Sequence, residues 1–390
     1  MENRHFPIGI ETFSEIREEN YVYVDKTELI HRLVTSGKYY FLSRPRRFGK
    51  SLLLSTIGAY FEGRRDLFAG LAIMRHQHSW ERHPVFHLNL VNVDLTSEEG
   101  IKETVRRHIV HWENEYGIAT DASDLAQRFY NVIRMAVEKT GKKAAVLIDE
   151  YDKALVSTPD NEEMHNKCKG ILKPIYGTLK AADPYLCFGF ITGVSRFSRL
   201  SIFSDINNLN DISLDNAYAT ICGITEQEML RDCSYGIERL SANSGSSFDD
   251  TMAALKKSYD GYHFTNKCPD IYNPFSLFCA FEREEIGNFW FATGTPTFLM
   301  ERLRNSNTYL PGLLHSEVDV TQLADIDSYS SSTIALLFQT GYLTIKGYDT
   351  EYDSYFLGLP NREVANAFFK HLLPALGYVG KERHRLPPER

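Results

Sequence analysis

This chain of 390 residues lacks the markers of several protein classes. Its six cysteines are widely spaced and include no C-x-x-C pair, which argues against a zinc site or a disulfide framework and favours reduced thiols. It has no apolar run long enough to cross a bilayer, and no hydrophobic signal segment follows Met1. We therefore expect a cytoplasmic protein with no membrane-spanning segment.

An excess of basic residues is also missing. There are 43 Lys and Arg residues against 51 Asp and Glu residues, and the formal net charge of −8 argues against a surface that binds nucleic acid throughout. No Lys or Arg occurs between residues 305 and 345, although Glu317, Asp319, Asp325 and Asp327 do. The hydrophobic content of 43% is enough for a sizeable core and more than one domain.

A basic loop that ends in Gly-Lys-Ser follows the apolar run at residues 39–42. Residues 44–51 read Arg-Pro-Arg-Arg-Phe-Gly-Lys-Ser, and a strand followed by Gly-Lys-Ser and a helix is the core of the loop of P-loop NTPases. Loop N–H groups and the helix N-terminus would bind phosphate oxygens, Lys50 would reach the β and γ oxygens, and Ser51 would hold Mg²⁺. The predicted ATP-binding residues are Arg44, Arg46, Arg47, Phe48, Gly49, Lys50, Ser51 and Leu52.

The loop departs from the G-x-x-x-x-G-K-[ST] pattern at its first position, where Arg44 replaces glycine. Pro45 removes an N–H donor and stiffens the loop, so we expect the loop to rely on guanidinium charge more than on glycine flexibility. One of its arginines could supply the charge that other NTPases take from a finger residue. The alternative interpretation is an exposed loop that is basic without a role in phosphate binding.

An acidic motif completes the predicted site about a hundred residues later. Residues 144–150 read Ala-Ala-Val-Leu-Ile-Asp-Glu, and a continuous apolar run of this kind is typical of a buried parallel strand. Because ligands bind at the carboxyl ends of such strands, Asp149 would hold Mg²⁺ directly or through water. Glu150 would polarise the attacking water. The alternative is that both acids only begin a loop or cap a helix.

A third predicted strand, residues 186–193, carries a polar residue near its tip. In ATPases with an extra strand between the two motifs, a polar residue at this place senses the γ-phosphate, and Thr192 is the candidate here. Arg196 and Arg199 follow the strand and are candidates for an arginine that responds to the γ-phosphate. The predicted catalytic residues are Glu150, Lys50, Thr192 and Arg196.

The alternation of strands and helices predicts an α/β fold, with a P-loop NTPase parallel sheet and helices on both faces over residues 1–225. The fifth, short strand of this sheet is predicted at residues 218–222. A helical lid or linker region is expected at 226–310 and a winged-helix-like module at 311–378. The charged, proline-bearing tail at 379–390 is expected to be disordered.

The predicted winged-helix-like module contains a helix near residues 330–339 and two strands, at 342–347 and 355–359. Such modules commonly read a DNA groove, which requires basic residues against the phosphates. The acidic stretch described above is a poor DNA surface. We therefore expect this module to pack against the ATPase part or a protein partner, and we expect no direct DNA binding by this chain.

Ten sequence phrases, in order, resemble a bacterial AAA-ATPase-like family. The phrases lie at residues 7–10, 21–27, 39–51, 147–153, 192–198, 207–213, 259–264, 272–276, 293–296 and 339–343. The resemblance implies an ATPase fold, bound ATP with Mg²⁺ and kinship with signal-transducing ATPases, and the family's own loop is similar to residues 44–51. Members of this family usually continue into a PD-(D/E)XK nuclease-like domain. About fourteen residues follow the last predicted helix, too few for a nuclease fold, so we expect that domain to be absent here.

Three functions are compatible with these patterns. The chain could be a slow Mg²⁺-dependent ATPase that acts as a nucleotide-controlled switch for an effector protein or within a homo-oligomer. It could instead be a non-hydrolysing ATP-binding interaction module, or the regulatory part of a nuclease system that acts on DNA. The intact pair of Asp149 and Glu150 favours hydrolysis, because a protein that only binds ATP has no need of Glu150.

Overall fold

A computed structural model of the protein has a five-stranded parallel sheet at its centre. The described residues are 4–120, 122–158, 161–196, 203, 206, 208–290, 299–300, 303–304, 316–319, 322–323 and 333–375. The strands of the sheet are β1 (Tyr39–Ser43), β2 (Val85–Asn89), β3 (Ala144–Asp149), β4 (Leu186–Gly193) and β5 (Asn210–Asp211). Their order is β2-β3-β4-β1-β5, and all neighbouring pairs are parallel. The α/β prediction is confirmed, and β4 lies between the strands that carry the two motifs.

Helices cover both faces of this sheet. They are α1 (Phe13–Glu18), α2 (Thr27–Ser36), α3 (Lys50–Phe61), α4 (Glu98–Tyr116), α5 (Leu125–Thr140), α6 (Lys153–Val156) and α7 (Glu162–Ala181). Leu147 of β3 faces α3, since its Cδ1 lies 3.5 Å from the position of a Cβ at Gly58. Phe86 of β2 pairs with Val146, the neighbour of Leu147, and its ring packs on Trp112 of α4. Because successive strand residues point to opposite faces, α3 and α4 lie on opposite sides of the sheet.

The fifth strand is β5, and the prediction of a strand at residues 218–222 was wrong. That segment follows a 3-10 turn, Asn216–Tyr218, which begins where Asp215 accepts a hydrogen bond from Ala217 N at 2.8 Å. An Asp just before an apolar run favours this local turn over an extended strand, because its carboxylate accepts a hydrogen bond from a backbone N–H group of the turn.

Residues 224–283 build a helical region with its own apolar core. Its elements are β6 (Ile224–Thr225), α8 (Glu226–Ser244), α9 (Phe248–Tyr259), β7 (Ile271–Tyr272) and α10 (Pro274–Arg283), and the two short strands are antiparallel. The α8 helix begins with a capping box in which Thr225 and Glu228 each bond the other's backbone. Phe6 and Val22 are buried in this core, so the N-terminal segment ties the helical region to the sheet region.

The C-terminal part contains a three-stranded antiparallel sheet. Its strands are β8 (Glu317–Asp319), β9 (Thr344–Asp349) and β10 (Ser354–Gly358), in the order β8-β10-β9. Its helices are α11 (Thr333–Gln339) and α12 (Arg362–Ala367), and α12 continues through a π-helical turn, Phe368–Leu372, into Leu373–Ala375. The predicted helix and both predicted strands are present, with ends shifted by a few residues. The winged-helix assignment and the domain boundaries stay predictions, and the tail at 379–390 lies outside the described residues.

The main apolar core joins the parallel sheet to the C-terminal part. It includes Leu42 and Ile148 from the sheet as well as Leu337, Tyr342 and Phe368. The C-terminal part is therefore packed against the sheet region, which is one of the two alternatives that the sequence predicts. Among the described helices, none has both the length and the apolarity that a bilayer crossing requires.

Candidate functional site

The loop between β1 and α3 is wound tightly and held by its own lysine. Arg47 (φ +70°) and Gly49 (φ +90°) both adopt the left-handed conformation, which is typical of concavities that bind anions through backbone N–H groups. Lys50, the first residue of α3, is 5% exposed, and its Nζ donates to Arg44 O at 3.1 Å and to Pro45 O at 3.2 Å. The ammonium group therefore lies on the inner side of the loop.

The start of α3 and the end of β3 lie together. Asp149 is fully buried; burial raises the pKa of its carboxyl group, while a hydrogen-bonding interaction with Ser51 and the charge of Lys50 oppose that rise. Asp149 Oδ1 accepts a hydrogen bond from Glu150 N at 2.9 Å, and Oδ2 is buried with no hydrogen-bond partner in the described part of the chain. An unpartnered buried carboxylate oxygen is costly unless a ligand completes it.

Glu150 follows β3 in a strained backbone conformation. Its φ of +51° is left-handed, and its side chain is half-buried. For a residue other than glycine such a conformation costs on the order of 1–3 kcal/mol and is concentrated at functional sites. Hydrogen bonds from Tyr151 N to Thr192 O (3.2 Å) and from Lys153 N to Glu150 O (2.9 Å) hold the turn in place.

Thr192 lies on β4, between β1 and β3, where the sequence predicts a sensor. It is fully buried, and its Oγ1 donates a hydrogen bond to Leu42 O at 2.8 Å. A hydroxyl group has a single proton, so Thr192 can donate to a γ-phosphate only by releasing Leu42. The sensor role stays a prediction.

Arg44 lies beneath the loop and not on its outer surface. It is 1% exposed, and its Nη1 donates to Ser43 O at 2.9 Å and to Ser213 O at 2.7 Å. Its guanidinium carbon lies 4.2 Å from the ring centre of Phe264. Burial lowers the pKa of Arg44 to about 10. These contacts favour support of the loop over phosphate contact, and the predicted ATP contact of Arg44 stays untested.

The other predicted arginines differ in their freedom to reach a phosphate. Arg46 is half-buried, whereas Arg47 is exposed with its guanidinium carbon 4.7 Å from the ring centre of Phe275. Arg196 is paired with Asp211, which accepts from its Nε at 3.0 Å and its Nη2 at 2.6 Å. It can respond to a γ-phosphate only if that pair opens or if Nη1 is used. Arg199 lies outside the described residues.

Phe48 anchors the loop to the helical region. Its ring is 1% exposed and packs edge-on against Tyr262 and Phe264, with ring centres 4.8 and 5.3 Å away. Its carbonyl oxygen accepts a hydrogen bond from Gly223 N at 3.1 Å. The predicted ATP contact of Phe48 can therefore involve its backbone, while the side chain is committed to packing.

An apolar cleft beside Gly49 was missed by the sequence reasoning. Its empty volume is about 520 Å³, including space open to solvent. Its apolar walls include Pro7, Val22, Val24, Leu52, Ile224 and Phe278. The phrases at residues 7–10 and 21–27 contain three of these residues, but nothing in their spacing indicates that they meet the loop. The cleft places the predicted contact residue Leu52 beside the N-terminal segment.

A buried lysine lines the same cleft. Lys26 Nζ donates to both carboxylate oxygens of Glu228 at 2.6 Å and to Thr220 O at 2.8 Å. Burial lowers the pKa of Lys26, and Glu228 opposes this shift. Because its three protons have acceptors, Lys26 supports the wall and leaves the cleft largely apolar.

The family assignment rests on a match that covers this constellation. The model of a family described as "Predicted AAA-ATPase" matches residues 7–203, which include the loop, Asp149, Glu150 and Thr192. This chain belongs to the AAA-ATPase-like family. The match ends before the helical region and the C-terminal part, so family membership supports nucleotide binding by the sheet region and leaves the rest of the chain unassigned.

One curated relative extends the likeness beyond the sheet region. An uncharacterized protein in the vnfD 5′ region of Azotobacter chroococcum mcd 1 is 36% identical to this AAA-ATPase-like chain over 346 residues. The alignment covers 88% of this chain and 65% of that protein. The chain thus spans about two thirds of the relative's length.

Proposed function

We propose that this chain binds ATP with Mg²⁺ at the loop between β1 and α3 and hydrolyses it slowly, as a nucleotide-controlled switch. The main support for the proposal is the proximity of Lys50 and Ser51, at the start of α3, to the buried Asp149. Lys50, the loop N–H groups and the N-terminus of α3 would bind the phosphates. Membership of the AAA-ATPase-like family supports nucleotide binding. The roles of Mg²⁺, of hydrolysis and of the switch are proposed from the residues themselves.

The oxygen atoms at this place fit Mg²⁺. The ion favours oxygen ligands and is usually held by one or two carboxylates together with substrate phosphates and water. Asp149 supplies the unpartnered Oδ2, and Ser51, which interacts with the same carboxyl group, supplies a hydroxyl group. No group of three or more His, Cys, Asp and Glu side chains that could hold a metal occurs among the described residues. A magnesium ion held partly by Asp149 and Ser51 and partly by ATP phosphates would need only these few protein ligands.

The apolar cleft beside Gly49 is the proposed binding place of the nucleotide base. Its walls, formed by residues such as Val22, Val24 and Phe278, can pack against the faces of a planar ring. A ligand pocket that is mostly apolar with a few polar groups at one end is the common form of a small-molecule site. Here the polar end would be the loop that binds the phosphates.

Glu150 is the proposed general base. It follows the proposed magnesium ligand directly, and its half-buried side chain lies on a strained turn that the neighbouring strand holds. A carboxylate at this place can orient and polarise a water molecule for attack on the γ-phosphate. Bound Mg²⁺ would neutralise charge that develops on the phosphate oxygens.

The switch part of the proposal rests on contacts that run from the loop into the rest of the molecule. Phe48 and Arg44 both contact Phe264, and Arg47 lies over Phe275. A nucleotide that shifts the loop must shift these aromatic contacts as well, because a packed interior has little free volume. Partners that would read the switch, whether an effector protein or further copies of this chain, belong to the proposal.

A non-hydrolysing ATP-binding module is the second candidate. The proton of Thr192 Oγ1 is used by Leu42 O, and Asp211 occupies Nε and Nη2 of Arg196, so only Nη1 of Arg196 is left to contact a γ-phosphate. This arrangement favours either slow hydrolysis or binding alone. The DNA-directed alternative gains no comparable support, since Lys346, the first basic residue after the acidic stretch, donates to Gly261 O and Pro360 O.

The experiment that tests the proposal measures MgATP binding and steady-state hydrolysis in Glu150→Gln and Lys50→Ala. We expect Glu150→Gln to keep MgATP affinity within about 3-fold and to lose hydrolysis by about 100-fold or more. Lys50→Ala should weaken MgATP binding by about 10- to 100-fold, because charge-assisted contacts to phosphate are lost.

Lys38→Ala is the matched control, because Lys38 pairs with Asp183 near the other end of the sheet. It should leave both quantities unchanged. Unaltered MgATP affinity in Lys50→Ala would overturn the proposed site, and an unaltered rate in Glu150→Gln would leave ATP binding without the proposed base.

A further inference from the structure

Asp152 lies in the same turn as Glu150 but is not one of the residues proposed to contact ATP or Mg²⁺. It is 1% exposed and precedes α6 as its N-cap residue, yet its side chain makes no capping hydrogen bond. Its Oδ2 instead accepts hydrogen bonds from Val194 N at 3.1 Å and Ser195 N at 2.6 Å. A buried carboxylate that receives two N–H groups from a distant segment fixes that segment, since loss of either bond would leave a buried donor unpaired.

The close approach of Asp152 depends on a glycine. A Cβ at Gly193 would lie 2.3 Å from Asp152 Oδ1 and 2.7 Å from Tyr151 Cδ1. Distances this short exclude any side chain at residue 193 unless the turn moves. Gly193 therefore allows the end of β4 and the turn after β3 to touch directly.

Further hydrogen bonds join the same two segments. Tyr151 N donates to Thr192 O at 3.2 Å, and Tyr151 OH donates to Ser195 O at 2.9 Å. Tyr176 OH of α7 donates to Tyr151 O at 2.7 Å and fixes the turn from behind. The turn that carries Glu150 and the end of β4 are thus one hydrogen-bonded unit.

Two charged groups of the candidate site influence Asp152. Burial and the charge of Glu150 raise the pKa of Asp152 to about 6, and Lys50 opposes the rise, so both charged groups are within electrostatic range of Asp152. The segment that Asp152 holds leads directly into Arg196, whose N donates to Gln339 Oε1 at 2.8 Å.

We infer that Asp152 is a positioning residue for the reaction, and that its carboxylate fixes the segment leading to Arg196 against the turn that carries Glu150. Glu150 and Arg196 then keep a constant distance from each other. Two groups that act on the same phosphate need such a fixed geometry, because catalysis by proximity depends on it. This inference rests on the proposed function, because a spacing between these groups matters only if they act on the same nucleotide.

Asp152→Asn is the direct test, because asparagine keeps the shape of the side chain. Its amide oxygen can accept one of the two N–H groups, but its NH₂ group would face the other. We expect kcat for ATP hydrolysis to fall at least about 10-fold, while the Kd for MgATP changes by less than about 3-fold. Gly193→Ala displaces the Asp152 carboxylate without removing it. It should likewise lower kcat and leave the Kd for MgATP nearly unchanged.

Asp183→Asn is the matched control, because Asp183 precedes β4 at its other end and accepts from Lys38 and Tyr39. It should leave both kcat and Kd unchanged. Wild-type kcat in Asp152→Asn, or a fall in affinity that accounts for the whole loss of kcat/KM, would overturn the inference while leaving the proposed ATPase intact.

Amide hydrogen exchange distinguishes this inference from the proposed function. Exchange at Val194, at Ser195 or at both should be at least about 10-fold faster in Asp152→Asn than in the wild type, because the asparagine oxygen can accept from only one of the two amides. If the wild type hydrolyses no ATP, the proposed function fails, and faster exchange in the variant would still support Asp152 as the group that fixes this segment. Unchanged exchange at both amides would overturn the inference whether or not ATP is hydrolysed.

Discussion

Glu150 adopts a backbone conformation that glutamate rarely takes. Its φ of +51° would suit glycine, so the side chain is kept at a cost in stability. We predict that Glu150→Gly raises the free energy of unfolding by roughly 1 kcal/mol, because the relief of strain exceeds the added entropy of the unfolded chain. The same change should abolish ATP hydrolysis. Denaturant unfolding and a steady-state rate measure the two effects.

Asp353→Gly controls for the backbone effect. Asp353 has the same φ of +51° in the turn between β9 and β10 and is not part of the proposed ATP site. It should also stabilise the fold, but with an unchanged rate of hydrolysis. A stabilised Glu150→Gly that hydrolyses ATP at the wild-type rate would contradict the account of Glu150.

The sequence predicts some side chains of the site well because their placement is local. Lys50 and Ser51 must start the helix after the loop, and Asp149 must end a buried strand. The orientation of Arg44 could not be predicted, because it depends on Phe264 and Ser213, which are distant in sequence. The role of Asp152 was missed for the same reason, since its partners lie at the end of another strand.

The loop between β1 and α3 divides its arginines into a supporting one and accessible ones. Arg44 is buried below the loop, whereas Arg46 is half-buried and Arg47 is exposed. We predict that Arg46→Met weakens MgATP binding by about 10-fold, about 1.4 kcal/mol, through loss of a charge-assisted contact to phosphate. Arg44→Met should change the affinity by less than about 3-fold, because the Arg44 guanidinium is buried against Ser43 O, Ser213 O and the ring of Phe264.

Titration calorimetry with MgATP on the two variants measures this difference. Thermal unfolding of both variants shows whether each remains folded before the affinities are compared. A larger loss of affinity in Arg44→Met than in Arg46→Met would show that Arg44 leaves its buried place to contact the phosphates.

The elements of the parallel sheet were predictable to different degrees. The buried strands β1, β3 and β4 are short, continuous apolar runs, which are typical of buried parallel strands and could be recognised in the sequence. The two residues of β5 have no such pattern. They form a strand only because they pair with Tyr40 and Phe41 at the edge of the sheet. The apolar cleft was not predictable either, because its walls come from the N-terminal segment, α3, β6 and α10.

Contacts between the loop region and the C-terminal part make the molecule a candidate switch. Gly341 lies so close to the loop that a Cβ there would come within 2.9 Å of Pro45 Cβ. Gln339, at the end of α11, is 4% exposed; its Oε1 accepts from Arg196 N, and its Nε2 donates to Leu323 O at 3.0 Å. One side chain therefore links the segment after β4 to the C-terminal part.

We predict that Gln339→Ala uncouples the C-terminal part from the nucleotide. In the wild type, MgATP should change amide hydrogen exchange in β9 and β10; in Gln339→Ala this change should be at least halved, with MgATP affinity kept within about 3-fold. Gln127→Ala on α5 is the control, because Gln127 bonds Asn131 on an exposed helix face. An undiminished response of β9 and β10 in Gln339→Ala would rule out this link.

Ser51 and Asp149 are proposed to share a magnesium ion with ATP. The most direct test of this proposal compares the affinity for ATP with excess Mg²⁺ and with EDTA, in the wild type, Ser51→Ala and Asp149→Asn. We expect Mg²⁺ to tighten ATP binding at least about 10-fold in the wild type, and both variants to lose most of that gain. An equal gain from Mg²⁺ in all three proteins, or no gain in the wild type, would contradict the proposal.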